Sequence, residues 1–228
     1  GGSKGIPRKN IKPFNSKPLI YWSIKIALES NKVDRVIVST DDEEIAKISR
    51  DAGASVPFSR PKSLASDTSP TIDVVLHAIK NLAALGCTYD AVCLLQPTTP
   101  LISSAIIDES INKFEDSTTD SIISVREIPH SFNPFWAFIE DDNDCLVSAT
   151  GSKNFPSRRQ DLQKAYYRDG VIYLVRTEII IQQKSLYGSR IGYIDLSNEK
   201  HVNIDTMIDW EKAEKIMLES NPKIKDRG

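Results

Sequence analysis

Four short stretches of the chain carry side chains able to do chemistry on phosphates and acids. The first is Gly1-Gly2-Ser3-Lys4-Gly5-Ile6-Pro7-Arg8-Lys9-Asn10. Small residues let backbone N–H groups approach phosphate oxygens, and Lys4, Arg8 and Lys9 can neutralise charge. The stretch has neither the Gly-Lys-Ser/Thr ending of a Walker A loop nor the GxGxxG spacing, and a solvated basic N-terminus is its other reading. The second is Phe58-Ser59-Arg60-Pro61 with Ser66-Asp67-Thr68-Ser69-Pro70-Thr71, whose hydroxyls and arginine can hold a ribose, base or phosphate or can simply cap a helix. The third, Gln96-Pro97-Thr98-Thr99-Pro100, brackets polar groups between two prolines. It reads as a rigid binding loop or as a plain strand-to-helix connection. The fourth is Asn203-Ile204-Asp205-Thr206. Residues 203 and 205 fall on one side of an extended chain. Paired oxygens there can hold Mg²⁺, which takes carboxylates together with substrate phosphates; alternatively Asp205 only caps the last helix.

The whole chain narrows the setting. Its 228 residues include 29 Lys+Arg and 31 Asp+Glu, a formal charge of −2. Such balance argues against a generic nucleic-acid or membrane-surface binder and leaves room for a local basic pocket. Hydrophobic residues at 40% and charged residues at 26% exclude wholesale disorder. No apolar run approaches the roughly 18 residues of a membrane span, and no secretory signal is visible. Cys87, Cys93 and Cys145 are odd in number and form no CxxC pair. A disulfide framework or structural zinc is therefore not expected, and a reducing cytoplasm fits best. His77, His130 and His201 lie too far apart in sequence to suggest a His-rich metal site.

The elements that must position these stretches follow from periodicity. Helices are expected at 18–29, from Thr40 (paired with Glu43 as a capping box) to Gly53, from Pro70 to Gly86, at 103–115, at about 177–183, and from Asp205 or Thr206 to Leu218. Strands are expected at 33–39, 54–58, 90–95 (apolar enough to be buried on both faces), 121–125, 170–175 and 190–196. The alternation from 18 to 125 argues for a mostly parallel α/β sheet wrapped by helices. Residues 126–170 break the rhythm with Pro129, Pro134 and Pro156 and an acidic turn. They read as an inserted lobe, with a strand at 135–139 and aromatics (Phe132, Phe135, Trp136, Phe138) suited to a subunit contact or to intrachain core. In open parallel sheets ligands bind beyond the carboxyl ends of the strands, where the four stretches would converge.

Read in order, GGSKGIPRKN, VIVSTDDEEIA, FSRP…LASDTSPTIDVVLHAI, LLQPTTPL, RRQDL…YYRDGVIY and HVNIDTMIDWEKAE resemble the acylneuraminate cytidylyltransferase (CMP-sialic acid synthetase) family, including its legionaminate and pseudaminate relatives. The likeness runs from residue 1 to about 216. It implies a Rossmann-like domain (1–125 and 171–220) with a dimerisation lobe (126–170), and transfer of CMP from CTP to the anomeric hydroxyl of a nine-carbon 2-keto sugar acid, with Mg²⁺ and release of pyrophosphate. Carried over, Ser3, Lys4, Lys9 and Asn10 form the nucleotide-phosphate loop. Arg60 and Thr71 sit at the cytidine end, and Gln96, Pro97 and Thr98 line the junction with the sugar. Arg159, Gln160 and Tyr173 meet the sugar acid, the Arg-Gln pair coming from a partner subunit. Asp205 is the metal carboxylate, Asn203 its neighbour, and Lys9 and Asp205 the catalytic pair.

The chemistry agrees with the resemblance. Two anions must meet, so fixed cations are needed, and phosphoryl-type transfer needs positioning more than covalent help. Two departures from the family stand out. The family's loop is preceded by a strand and an Ala-Arg pair, so this chain is expected to be a fragment of a longer one. Where Asn203 stands, many members carry Asp. The competing readings are a 3-deoxy-manno-octulosonate cytidylyltransferase, a non-catalytic nucleotide-binding paralogue and a sugar-nucleotide glycosyltransferase, the last expecting a DxD after a mid-sheet strand.

Overall fold

The computed structural model describes residues 5–66 and 68–220. Ser3, Lys4 and Asp67, named above, lie outside them. The sheet forms from the apolar β-branched runs. Strands β1 (Pro13–Phe14) and β2 (Lys17–Pro18) pair as a short antiparallel ribbon, and in the main sheet β3 (Ala91–Leu95), β4 (Ser121–Glu127), β7 (Tyr166–Arg176) and β8 (Ile191–Asp195) order as β3-β7-β4-β8. Strands β4 and β8 are parallel, and β7 runs antiparallel to both β3 and β4. Three strands thus share one direction, and β7 is reversed because the excursion after β4 brings the chain back at the end of the sheet where β4 leaves it, Glu127 pairing with Tyr166. Period-two alternation sends Ile172 and Leu174 of β7 to one face, against Ile107 and Phe114 of helix α4 (Ser104–Glu115). Tyr173 and Val175 point to the other, against Val75 of α3 (Thr71–Ala84) and Ile179 and Ile180 of α5 (Thr177–Gln183).

A separate core joins positions far apart in sequence. Ile6, Phe14 and, from helix α1 (Leu19–Leu28), Leu19 and Trp22 pack with Val202, Ile204 and the Trp210–Ala213–Met217 stripe of α6 (Met207–Ser220). The Phe14 and Trp210 rings meet edge-on at 5.3 Å, and Trp22 Nε1 donates to the Phe14 carbonyl at 2.9 Å. A capping box opens α6: Asp209 N donates to Thr206 Oγ1 at 3.2 Å, and Thr206 N to Asp209 Oδ2 at 2.8 Å.

Four local expectations are corrected. The strands expected at 33–39 and 54–58 meet as one parallel bridge, Ile37 to Ser55, held by Val38 N to Ser55 O and Ser55 N to Val36 O, each 2.9 Å. Among the described residues neither joins the four-stranded sheet, so no longer ladder forms. Strand β3 packs on both faces, Ala91, Cys93 and Leu95 against one core and Val92 and Leu94 against the other, but its residues are half-buried rather than buried, because among the described residues it lies at the sheet edge with β7 alone beside it. The strand expected at 135–139 begins later. Asn133 Oδ1 caps a 3₁₀ turn at Pro134–Trp136, and only β5 (Phe138–Glu140) pairs, with β6 (Leu146–Ser148), in a hairpin outside the main sheet.

The fourth concerns a helix cap. Helix α2 (Glu43–Asp51) is capped by Asp42, whose carboxylate accepts from Glu44 N at 2.8 Å and Ile45 N at 3.1 Å; Thr40 Oγ1 instead accepts from Asp42 N. The bond from Ile45 N–H, with that from Glu44 N–H and the Arg8 charge, holds the Asp42 carboxyl below its ordinary pKa. A depressed folded-state pKa stabilises above the unfolded value, and the gain is lost as pH falls through the folded one. Asp42→Ala is expected to lower stability by about 1 kcal/mol at neutral pH, with the gap to wild type closing under acid. Urea midpoints at pH 7 and near pH 3 check both parts.

Candidate active site

Lys9 opens a 3₁₀ turn (Lys9–Ile11) just after Arg8, which adopts a left-handed backbone at φ 51°. That turn aims Lys9 inward. Its side chain is 12% exposed, and Nζ donates to the Ile204 carbonyl at 2.6 Å and lies 3.4 Å from Asp205 Oδ1. Ile204 is fully buried, so it fixes this partner, and its N–H donates to Thr98 O at 2.9 Å. Gly5 is required nearby, because a Cβ there would stand 2.2 Å from the Asp205 carbonyl oxygen. Asn203 Nδ2 donates to Asp205 Oδ2 at 2.7 Å. Lys9, Thr98, Asn203 and Asp205, expected to act together, are brought together, with Asn10 in the same turn. Arg8 turns elsewhere, pairing with Glu44 at 2.5 Å and Asp42 at 3.4 Å.

The donor set suits a cation that draws most of its ligands from elsewhere. The Asp205 side chain is 65% exposed. No group of three or more His, Cys, Asp or Glu is placed to hold a metal among the described residues. One protein carboxylate with water and phosphate oxygens is an ordinary Mg²⁺ arrangement. Asn203 presents its amide nitrogen to Asp205, so its oxygen faces away from that carboxylate.

Beyond β3, Gln96 O accepts from Thr99 N at 3.2 Å and Thr99 Oγ1 at 3.1 Å, closing the Pro97–Thr98 turn. Arg60 N donates to Thr40 O at 2.9 Å, tying the second stretch to the α2 entrance. Thr71 begins α3, and its neighbour Ile72 packs in the same cluster as Leu94 and Tyr173. Buried polar atoms normally find partners. Arg60 Nε and Thr98 Oγ1 have none, which leaves both able to serve a bound molecule.

The third region lies on β7. Tyr173 Oη accepts from Arg168 Nη1 at 3.0 Å, and the Tyr173 ring meets Tyr187 edge-on at 6.0 Å. Behind Arg168, Asp169 is buried: Oδ1 accepts from Ser124 Oγ and from Val171 N at 3.1 Å, and Oδ2 lies 3.3 Å from Arg126 Nε. Arg126 Nη1 also donates to Glu199 O at 3.0 Å. Arg126 lines a cavity with Thr99 and His201, where burial first and the Arg126 charge second hold the His201 pKa below its ordinary value. Arg159 and Gln160 occupy an exposed 3₁₀ turn (Arg159–Asp161); no hydrogen bond or ion pair joins them to the Lys9–Asp205 group among the described residues. Sequence reasoning missed Arg168, the Asp169–Ser124–Arg126 group and the Ile204 carbonyl. The available signal was an ionisable pair, Arg126 and Asp169, next to apolar strand runs, since buried charges seek partners.

A family model described as Cytidylyltransferase matches residues 1–224. The pseudaminic acid cytidylyltransferase of Campylobacter jejuni is 35% identical over 221 residues, covering 97% of this chain and 94% of that protein. The CMP-N,N'-diacetyllegionaminic acid synthase of Legionella pneumophila is 34% identical over 223 residues, with 95% and 92% covered. The structure of a CMP:2-keto-3-deoxy-manno-octonic acid synthetase complexed with CTP superposes with a TM-score of 0.70 at 15% identity, covering 96% of this chain and 95% of that one; at that identity it speaks to the fold.

Proposed function

We propose, because the chain belongs to the cytidylyltransferase family, that it transfers CMP from CTP to the anomeric hydroxyl of a nine-carbon sialic-type acid and releases pyrophosphate. The observation that carries this reading is Lys9, whose ammonium is clamped between the Ile204 carbonyl and Asp205 beside Thr98. A lysine so fixed has a remaining N–H for a phosphate oxygen and needs no reorganisation as charge develops there. The sugar hydroxyl attacks the α-phosphorus, the bond to the bridging oxygen of pyrophosphate breaks, and the hydroxyl proton passes to a solvent molecule beside Asp205. Ser3, Lys4 and Asn10 complete the phosphate loop, Arg60 and Thr71 take the cytidine end, and Gln96 with Pro97 and Thr98 separates nucleotide from sugar. Asp205, with Asn203 beside it, would hold Mg²⁺, which when bound polarises phosphate oxygens and steadies the leaving group.

The same reading includes a homodimer formed through the 126–170 lobe. That lobe exposes Phe132 (74%), Leu146 (70%), Ile139 (55%) and Phe138 (50%), an apolar surface suited to a second copy. Arg159 and Gln160 would then serve the sugar-acid site of the partner. Among the described residues no helix is long and apolar enough to cross a membrane, and three free thiols suit a reducing cytoplasm.

The test is pyrophosphate release from CTP and Mg²⁺ with N-acetylneuraminate, legionaminate, pseudaminate and 3-deoxy-manno-octulosonate in parallel. Turnover is expected with a nine-carbon acid. Exclusive use of the eight-carbon acid would move the chain to the octulosonate branch. CTP binding without release would mark a non-catalytic paralogue.

A further inference from the structure

We propose that Arg168 receives the carboxylate of the acid substrate, with Tyr173 fixing the orientation of its guanidinium. The inference rests on the acid-substrate reading above and adds to it a residue that lies within the YYRDGVIY motif but was given no role there. Arg168 and Tyr173 are five positions apart on β7. In a regular strand that spacing places side chains about 17 Å apart and on opposite faces. Here the two side chains meet at 3.0 Å. The cause is an irregularity in the β4–β7 ladder: Ile123 pairs with Tyr173 and Val125 with Arg168, so two steps along β4 match five along β7. Gly170 takes the turn at φ 79°. The Ser124 hydroxyl stands in for the missing ladder bonds, accepting from Ile172 N at 2.8 Å while donating to Asp169. Arg126 on the far side of Asp169 completes a buried brace. Bulges of this kind re-aim side chains beside active sites.

The bulge delivers a cation without an anion. Arg168 is exposed, and no carboxylate pairs with it among the described residues. One of its five N–H groups is spent on Tyr173, leaving a planar fork able to grip a carboxylate through two bonds. A carboxylate is favoured over a nucleotide phosphate because Lys9 already serves the phosphate region and because Arg168 shares Tyr173 with the sugar-acid end.

The experiment titrates CTP-loaded protein calorimetrically with the tightest-binding acid of the panel above and with its methyl ester. Arg168→Ala is expected to weaken the acid on the order of 10- to 100-fold, to leave CTP affinity within about twofold, and to bind the ester as wild type does. Arg168→Lys recovers only part of the loss, since it keeps charge without the fork. Unchanged acid affinity in Arg168→Ala, or an equal acid-to-ester ratio in both proteins, overturns the assignment, and retained CTP binding shows that the variant is folded. Wild-type protein that releases no pyrophosphate yet binds the acid through Arg168 would defeat the transfer reading and uphold Arg168. Normal turnover in Arg168→Ala would do the reverse.

Discussion

Lys9→Ala is expected to lower kcat/KM for CTP by about 10²- to 10³-fold, with Tm shifted by only a few degrees. The ammonium is held by two oxygens on a segment anchored in the core, so under the proposed function its loss removes a fixed charge from the phosphate site. The structural cost is small, because one hydrogen bond to the Ile204 carbonyl is worth about 1 kcal/mol net, or roughly 2–4 °C for a chain of this size. Steady-state kinetics and a thermal melt, run together, separate the two effects. Lys9→Arg keeps the charge but not the compact geometry and should fall between. Near-normal kinetics for the alanine variant would remove Lys9 from the phosphate site.

The largest stability effect is expected at Asp169. Its carboxylate is fully buried and faces Arg126, Ser124 and the Val171 N–H. Among the described residues, Asp169→Ala leaves the buried guanidinium with only the Glu199 carbonyl as partner and orphans the Val171 N–H, while the Ser124 hydroxyl keeps the Ile172 carbonyl at 3.4 Å. Breaking one side of such a pair costs about 3–5 kcal/mol, read as a lower urea midpoint at unchanged m. The double variant Asp169→Ala with Arg126→Met should lose less than the sum of its singles, because the second change removes the unpaired charge the first creates. Additive losses would show that the two groups do not act as a unit.

These two sites also show what was legible in the chain. Lys9, Thr98, Asn203 and Asp205 were readable because each sits in a polar stretch at an element boundary, and the strand-end rule places such boundaries together. The helices at 71–84 and 104–115 followed from apolar periodicity. The bulge at 169–172 was not readable, since only the ladder with β4 reveals that the single residue Ser124 opposes four. The same holds for the reversal of β7: alternation of helix and strand fixes a class, whereas strand direction depends on how a long excursion returns. Asp42 displaced Thr40 as the cap because its carboxylate reaches two N–H groups at once, a choice that types and spacing alone leave open. For 33–39 and 54–58, β-branched composition signalled extended chain correctly, but a ladder also needs a neighbour to pair with.

The joint between Lys9 and Asp205 spans 196 positions, and the Phe14–Trp210 contact spans the same number. Contacts this distant close the largest loops a chain can form, and their entropy must be met before they yield any gain. The β4–β8 ladder and the helices that cover it can assemble from nearer neighbours. Competence for chemistry therefore arrives late in the maturation of this polypeptide, after most of its secondary structure is in place. A nascent chain acquires it only once the 202–217 region has been synthesised and has docked against the opening segment.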